Sequence, residues 1–168
     1  MGVITKFGWL RGGKSSYPLV MGASEVIRGQ SGRFVKPDAS RRGEIAGDGH
    51  TRLMGFVEGG DETMSSTEGG STLNCIDDVT AVFRIPLFYD NVTYTQNYAA
   101  TLNGTKHDLV VLNNIQYANL TDSSEKTIII VGGKAASAAV TDGAVANTLY
   151  GDGYVDVRLN SSKLHITD

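Results

Sequence analysis

From residue 23 onward the chain alternates short apolar runs with polar turns. Glu25-Val26-Ile27-Arg28, Arg33-Phe34-Val35-Lys36, Gly43-Glu44-Ile45-Ala46 and Leu53-Met54-Gly55-Phe56-Val57-Glu58 each mix β-branched or aromatic residues with polar ones. Gly, Asp, Asn and Ser bound them, which is the pattern of strands joined by tight turns. Further runs fall at 72–76 and 80–85, the latter stopped by Pro86, and after Gly104 at 108–112, 115–119, 127–131 and 154–159. In the last of these Val155, Val157 and Leu159 alternate with Asp156 and Arg158, so one face is buried and the other wet. Ile128-Ile129-Ile130-Val131 is continuously apolar and is expected to be covered on both faces. Helix is expected only within 134–150, where Ala135, Ala136, Ala138, Ala139, Ala144 and Ala146 are good formers, and Asp142-Gly143 interrupts it.

The pattern predicts an all-β fold, a small β-barrel or sandwich with little helix, in two lobes over 21–100 and 101–168. Two segments stand outside it. Residues 59–71 are polar and glycine-rich with Met64 as the one apolar anchor, and are expected to form an exposed, mobile loop. Residues 1–20 set Phe7, Trp9, Leu10 and Tyr17 among Gly2, Gly8, Gly12 and Gly13 with no clean period, and read as an extended N-terminal arm. An apolar arm that cannot bury itself locally needs a groove, on its own body or on a neighbour.

Composition narrows the class. With 168 residues, 21 Gly and only 3 Pro, the chain is long enough for one domain or two small lobes, and its glycines read as turns rather than disorder. No aliphatic run approaches the ~20 residues of a membrane helix, and no secretory signal is visible at the N-terminus. Cys75 is the single cysteine, which excludes an internal disulfide and a multi-cysteine zinc site. Its setting, Leu73-Asn74-Cys75-Ile76, is that of a small buried thiol rather than a nucleophile. Sequons occur at Asn91, Asn103, Asn119 and Asn160 against about 1.5 by chance, and with no signal peptide visible they carry little weight.

The net charge of -3 hides a polarity: residues 1–52 hold nine Lys and Arg against four acids, and the remainder six against fourteen. Such a chain is expected to dock on an acidic surface or to pack head to tail with its own copies. The basic residues are scattered between glycines rather than interleaved with stacking aromatics, so direct nucleic-acid binding is not expected.

Motifs for chemistry are few. Gly8-Trp9-Leu10-Arg11-Gly12-Gly13-Lys14-Ser15 satisfies the P-loop string, in which backbone N–H groups cradle phosphates at the start of a helix. Pro18 falls where the first turns of that helix belong, and no aliphatic run ends in an aspartate to hold the metal. His50, His107 and His165 lack metal-pair spacing, no Gly-x-Ser-x-Gly is present, and the Asp-Gly pairs at 48, 142 and 152 suit hairpin turns better than a calcium loop. No enzyme activity, cofactor or metal is expected.

The run Val26-Ile27-Arg28-Gly29-Gln30-Ser31-Gly32-Arg33-Phe34-Val35-Lys36-Pro37-Asp38, then Gly43-Glu44-Ile45-Ala46, then Leu53-Met54-Gly55-Phe56-Val57-Glu58, resembles the head decoration (cement) proteins of tailed bacteriophages, the lambda-type β-tulip proteins and their longer relatives. The second half, from His107-Asp108-Leu109 through Gln116, 127–133 and 154–160, is similar to the other lobe of longer virion proteins of this kind. The resemblance implies a virion structural protein that binds the outer surface of the major capsid protein and stabilises the expanded head, made in the host cytoplasm. It also implies self-association, most often as a trimer, and a capsid-contacting arm, here Phe7, Trp9, Leu10, Arg11 and Tyr17. A carbohydrate- or receptor-binding β-module using Tyr89, Tyr94 and Tyr98 is the alternative.

Overall fold

In the computed structural model of the chain, residues 7–88, 97–136 and 153–165 are described. They are 47% strand and 4% helix, arranged as three antiparallel sheets with no closed barrel among them, a sandwich-like all-β fold. The predicted helix over 134–150 falls mainly on 137–152, outside the described residues.

Among the described residues thirteen strands follow in order: β1 (Gly8–Arg11), β2 (Ser16–Val20), β3 (Val26–Ile27), β4 (Phe34–Pro37), β5 (Gly43–Ile45), β6 (Gly55–Val57), β7 (Glu62–Thr63), β8 (Thr72–Ile76), β9 (Val82–Pro86), β10 (Lys106–Leu112), β11 (Ile115–Asn119), β12 (Ile128–Lys134) and β13 (Tyr154–Leu159). Six of them form one sheet in the order β1-β9-β13-β12-β10-β11, five form a second in the order β2-β8-β6-β4-β5, and β3 pairs with β7 as a ribbon. Strands from both sides of residue 100 thus share the larger sheet.

Alternation along the strands builds three layers. In β4, β6 and β8 the residues Phe34, Phe56 and Ile76 point into the main core, against Phe83, Ile85, Leu109, Ile128, Ile130, Val155 and Val157 of the larger sheet. Their neighbours Val35, Val57 and Cys75 point the opposite way, into a second core with Leu19, Met21, Ile27, Met54 and Met64. The smaller sheet is therefore buried on both faces, which is why Gly55-Phe56-Val57 has no polar position. At the centre of the main core Phe56 stacks on Phe83 with centroids 4.4 Å apart, and Phe34 meets both edge-on at 5.0 and 5.4 Å. Gly55 holds φ +153°, and a Cβ there would stand 2.5 Å from the Ile76 carbonyl oxygen. Only glycine lets β6 lie so close to β8.

Three sequence expectations change. The loop 59–71 is not wholly irregular: Glu62–Thr63 pairs with Val26–Ile27, and Met64 beside it is buried. One apolar side chain with a pocket to fill is enough to order the short ribbon, since burying a methionine contributes about 1.5–3 kcal/mol. In β12 only Ile128 and Ile130 are buried, while Ile129 and Val131 are half-exposed on the outer face. On that face Arg84 and Asp156 pair across β9 and β13 through two hydrogen bonds of 2.7 and 2.9 Å, with the Arg84 guanidinium 3.8 Å over the Tyr154 ring. The third concerns the arm. Residues 8–11 pair with β9 and 16–20 pair with β8, so the segment supplies an edge strand to each of the chain's own large sheets.

A single polar side chain ties the two large sheets together inside the core. Gln116 on β11 is fully buried; its Nε2 donates to the carbonyls of Phe34 and Ala46, and its Oε1 accepts from the Phe34 N–H. Its backbone N–H donates to Ser31 Oγ at 2.6 Å, and its carbonyl accepts from the Gly32 N–H at 2.9 Å. Replacing Gln116 with Leu leaves the Phe34 N–H and the Ala46 carbonyl without these partners in an apolar interior. We expect a loss of about 2–6 kcal/mol in urea unfolding, from two uncompensated buried groups at roughly 1–3 kcal/mol each. A loss under about 1 kcal/mol would show that the amide is dispensable to the sandwich.

Candidate functional site

The arm is the first candidate. Gly12 and Gly13 carry the chain from the larger sheet to the smaller, crossing loop 77–80 at very close range: a Cβ on Gly12 would lie 2.2 Å from the Thr80 carbonyl oxygen. The crossing is fastened by hydrogen bonds from the Gly13 N–H to Thr80 Oγ1 at 3.0 Å and from the Ser15 N–H to Asp78 Oδ2 at 3.4 Å. The P-loop string therefore runs into strand β2 rather than a helix, its glycines serve close packing, and Lys14 pairs with Glu58 at 2.6 Å.

The five predicted contact residues divide. Trp9 and Leu10 are each 38% exposed, Arg11 is exposed beside them, and Leu10 lies where the β1–β9 register shifts. Phe7 is half-buried, with its carbonyl 3.5 Å from Arg33 Nη2. Tyr17 lies with Leu73 against the second core, and its hydroxyl donates to the Met54 carbonyl at 3.4 Å. Trp9, Leu10 and Arg11 thus share one edge strand, whereas Tyr17 belongs to the other sheet. The indole N–H is directed back to the Gly13 carbonyl at 3.3 Å, and Lys14 Nζ lies 5.3 Å over the ring. That leaves the ring held in place but open on one side.

The charge polarity is spent partly within the chain. Besides Lys14, Lys36 pairs with Glu44, and Arg42 with Asp38 at 2.8 Å and Glu68 at 2.6 Å. Arg33 is buried over the Phe56 ring, its Nη1 donating to the Gly59 carbonyl at 2.8 Å and its Nε without a partner. Desolvation lowers its basicity. Arg11, Arg41 and Arg52 are exposed and make no ion pair among the described residues.

Groups able to do chemistry were tested by their neighbours. His107 Nε2 lies 2.9 Å from Thr105 Oγ1, but that hydroxyl also donates to the Leu102 carbonyl, and Nδ1 faces the Asp122 carbonyl at 3.3 Å. The imidazole is oriented by backbone, with no carboxylate behind it, and the arrangement holds a turn together. Cys75 is fully buried, and burial pushes its thiol up to about 12. Among the described residues no three of His, Cys, Asp and Glu gather as a metal ion requires. Asn119 and Asn160 are buried and use their amides to hold local turns, so these two sequons are closed to modification in the folded chain. Tyr98 is half-buried and donates to Asn103 Oδ1 at 3.2 Å, while Tyr89 and Tyr94 lie outside the described residues.

Sequence reasoning missed one feature. A cleft of about 360 Å³ opens where the β5 edge meets the tip of the β10–β11 hairpin, lined by Ser24, Glu25, Val26, Ile45, Gly47, His50, Val111 and Asn114. Glu25 Oε2 accepts from the Ile45 N–H at 2.9 Å, and burial raises the carboxyl above its ordinary value. Its residues come from four separate stretches, so only the fold assembles them. In comparisons with family models, curated proteins and solved structures, nothing matches this chain.

Two outcomes follow. Cys75 should resist a thiol reagent at pH 8 in the folded chain and react fully once unfolded, since its thiolate forms only far above that pH; rapid labelling of native protein would refute its burial. His107 is depressed by desolvation from its ordinary 6.5, so protonation favours the unfolded chain. Its contribution is intact above about pH 6.5 and is lost as pH falls through that value toward the lower folded one. The midpoint in urea should fall between pH 7 and 5 more steeply for the native chain than for His107→Gln, and parallel curves would remove His107 as the cause.

Proposed function

We propose that this chain is a non-enzymatic virion structural protein, a decoration protein that docks on the outer surface of a phage head and stabilises the expanded shell. The observation that carries the reading is β1: an edge strand whose outer side pairs with no other described strand, presenting Trp9 and Leu10 beside an unpaired Arg11. Proteins that stay monomeric and isolated usually blunt such an edge, and exposed aromatics with arginine are the residue types that dominate protein contacts. The resemblance of 26–58 to head decoration proteins supports the same reading, as does a rigid body made almost wholly of strands and turns. On this reading the partner is the major capsid protein, the chain associates with its own copies as a trimer, and it resides on the outside of the virion. Neither membrane nor nucleic acid is a partner.

The fold changes how this is tested. Removing residues 1–20 would strip an edge strand from both large sheets and Leu19 from the second core, so lost binding would report lost structure. The exposed pair Trp9→Ala and Leu10→Asp keeps the backbone pairing. It should leave the thermal midpoint within a few degrees and weaken binding to undecorated, expanded heads at least thirtyfold, a cost of about 2 kcal/mol. Unchanged affinity would end the arm assignment. A reproducible glycan-array hit without capsid affinity would replace the reading with a carbohydrate-binding module.

A further inference from the structure

The cleft between the β5 edge and the β10–β11 hairpin combines features that select one kind of ligand. Its walls are aliphatic: Val26, Ile45 and Val111, the last 36% exposed at the rim. Glu25 supplies the ionisable acid. One of its oxygens is fixed by the Ile45 N–H, and the other makes no hydrogen bond among the described residues. Two carboxylates, Glu44 and Glu68, and one cation, Lys36, act on it from nearby. The nearby cations are already engaged, Lys36 with Glu44, and Arg42 with Asp38 and Glu68. His50 Nδ1 lies 2.9 Å from the Gly47 nitrogen and 3.0 Å from the Gly47 carbonyl oxygen, so the ring is held by this turn. The rim is held by turn backbone, with Ser24 at φ 57° and Asn113 and Asn114 at φ 51° and 62° in the two-residue hairpin connection. A cleft walled by fixed turns needs little ordering on binding.

We propose that this cleft binds an aliphatic ammonium group, with the methylene stem against Val26, Ile45 and Val111 and the charged head on the free oxygen of Glu25. An ammonium hydrogen-bonded to a carboxylate in a partly desolvated site is a strong contact, and a four-carbon stem matches the apolar walls. A flat guanidinium suits the site less well, since the single free oxygen of Glu25 offers no bidentate geometry. The chemistry is that of a lysine side chain on a partner or of a free diamine. The site is independent of the arm and of the shell-docking reading, so either stands if the other fails.

The test uses the full chain and three probes followed by NMR titration: Nα-acetyl-lysine N-methylamide, cadaverine, and Nα-acetyl-norleucine N-methylamide as the neutral isostere of lysine. We expect saturable shifts at Val26, Ile45 and Val111 with a cationic probe, and binding at least about tenfold weaker with norleucine. Saturation by the lysine derivative assigns the cleft to a protein side chain. Saturation by cadaverine alone assigns it to free amines, and both outcomes uphold the ammonium site. Glu25→Gln keeps an acceptor for the Ile45 N–H and removes only the charge, and should weaken the cation about tenfold with an unchanged thermal midpoint. Val111→Lys, at an exposed rim position, should place an intramolecular ammonium in the cleft and block the probe. Norleucine binding as tightly as lysine, no saturable shift with either cation, or undiminished binding in Glu25→Gln would each overturn the proposal.

Discussion

Buried backbone must be paired, and in this chain strands alone do not pair it. The main core lies between two sheets, and the start of β4 at Phe34 and the end of β5 before Ala46 face β11, where no ladder joins them. Gln116 fills that break: its side-chain amide takes the part of a missing strand, accepting from one N–H and donating to two carbonyls in a site fully closed to water. An amide suits the task because it offers donors and an acceptor without carrying charge into the interior. Any apolar residue of the same volume would leave the groups it serves unpaired, a larger penalty than its own burial returns.

The same device recurs wherever a sheet gives out. Glu25 completes the β5 edge at Ile45, Asp78 holds the crossing between β1 and β2, and Asp108 gathers the N–H groups of Glu125 and Lys126 to fold the 120–127 loop onto β10. Asn160 donates to the Lys126 carbonyl at 2.6 Å and fastens the same end of that loop from the other side. Bridges also form beyond the ladders, Met21 to Gly43 between the two margins of the smaller sheet and Leu87, just past β9, to Ala118 of the edge strand β11, without closing either sheet into a barrel. Margins sealed in this way present few open hydrogen-bonding groups. The outer side of β1 is then conspicuous for being left unsealed.

These relations explain what could be read from the sequence. Strand positions were legible wherever a turn residue bounded a β-branched or aromatic run: 72–76, 115–119 and 154–159 match the observed strands, and Cys75 is the buried thiol its neighbours implied. Local pattern reports which residues want burial but not how many layers will bury them. The double-sided burial of Phe56-Val57 and the one-sided burial of Ile128 to Val131 were therefore out of reach. Residues 8–20 lacked a clean period because β1 and β2 sit on different sheets and are joined by glycines chosen for close approach. The cleft at Glu25 left no local signal at all, since its lining is drawn together from 24–26, 45–50, 111 and 114.

The charge polarity shows how an average along the chain becomes a surface in three dimensions. Of the nine cations in residues 1–52, Lys14, Lys36 and Arg42 are bound to carboxylates and Arg33 is buried. The basic third is consequently far less basic toward a partner than its count implies. Folding has paired three of the nine and left exposed arginines, among them Arg11 beside two apolar side chains, while burial keeps Glu25 partly desolvated. Long-range steering by a broad positive field is thus a weak basis for recognition here, because paired charges cancel beyond a Debye length of about 8–10 Å. What the surface offers instead is short-range and shaped: one open strand edge with an aromatic, and one acidic cleft with aliphatic walls. Contacts of that kind tune dissociation more than encounter.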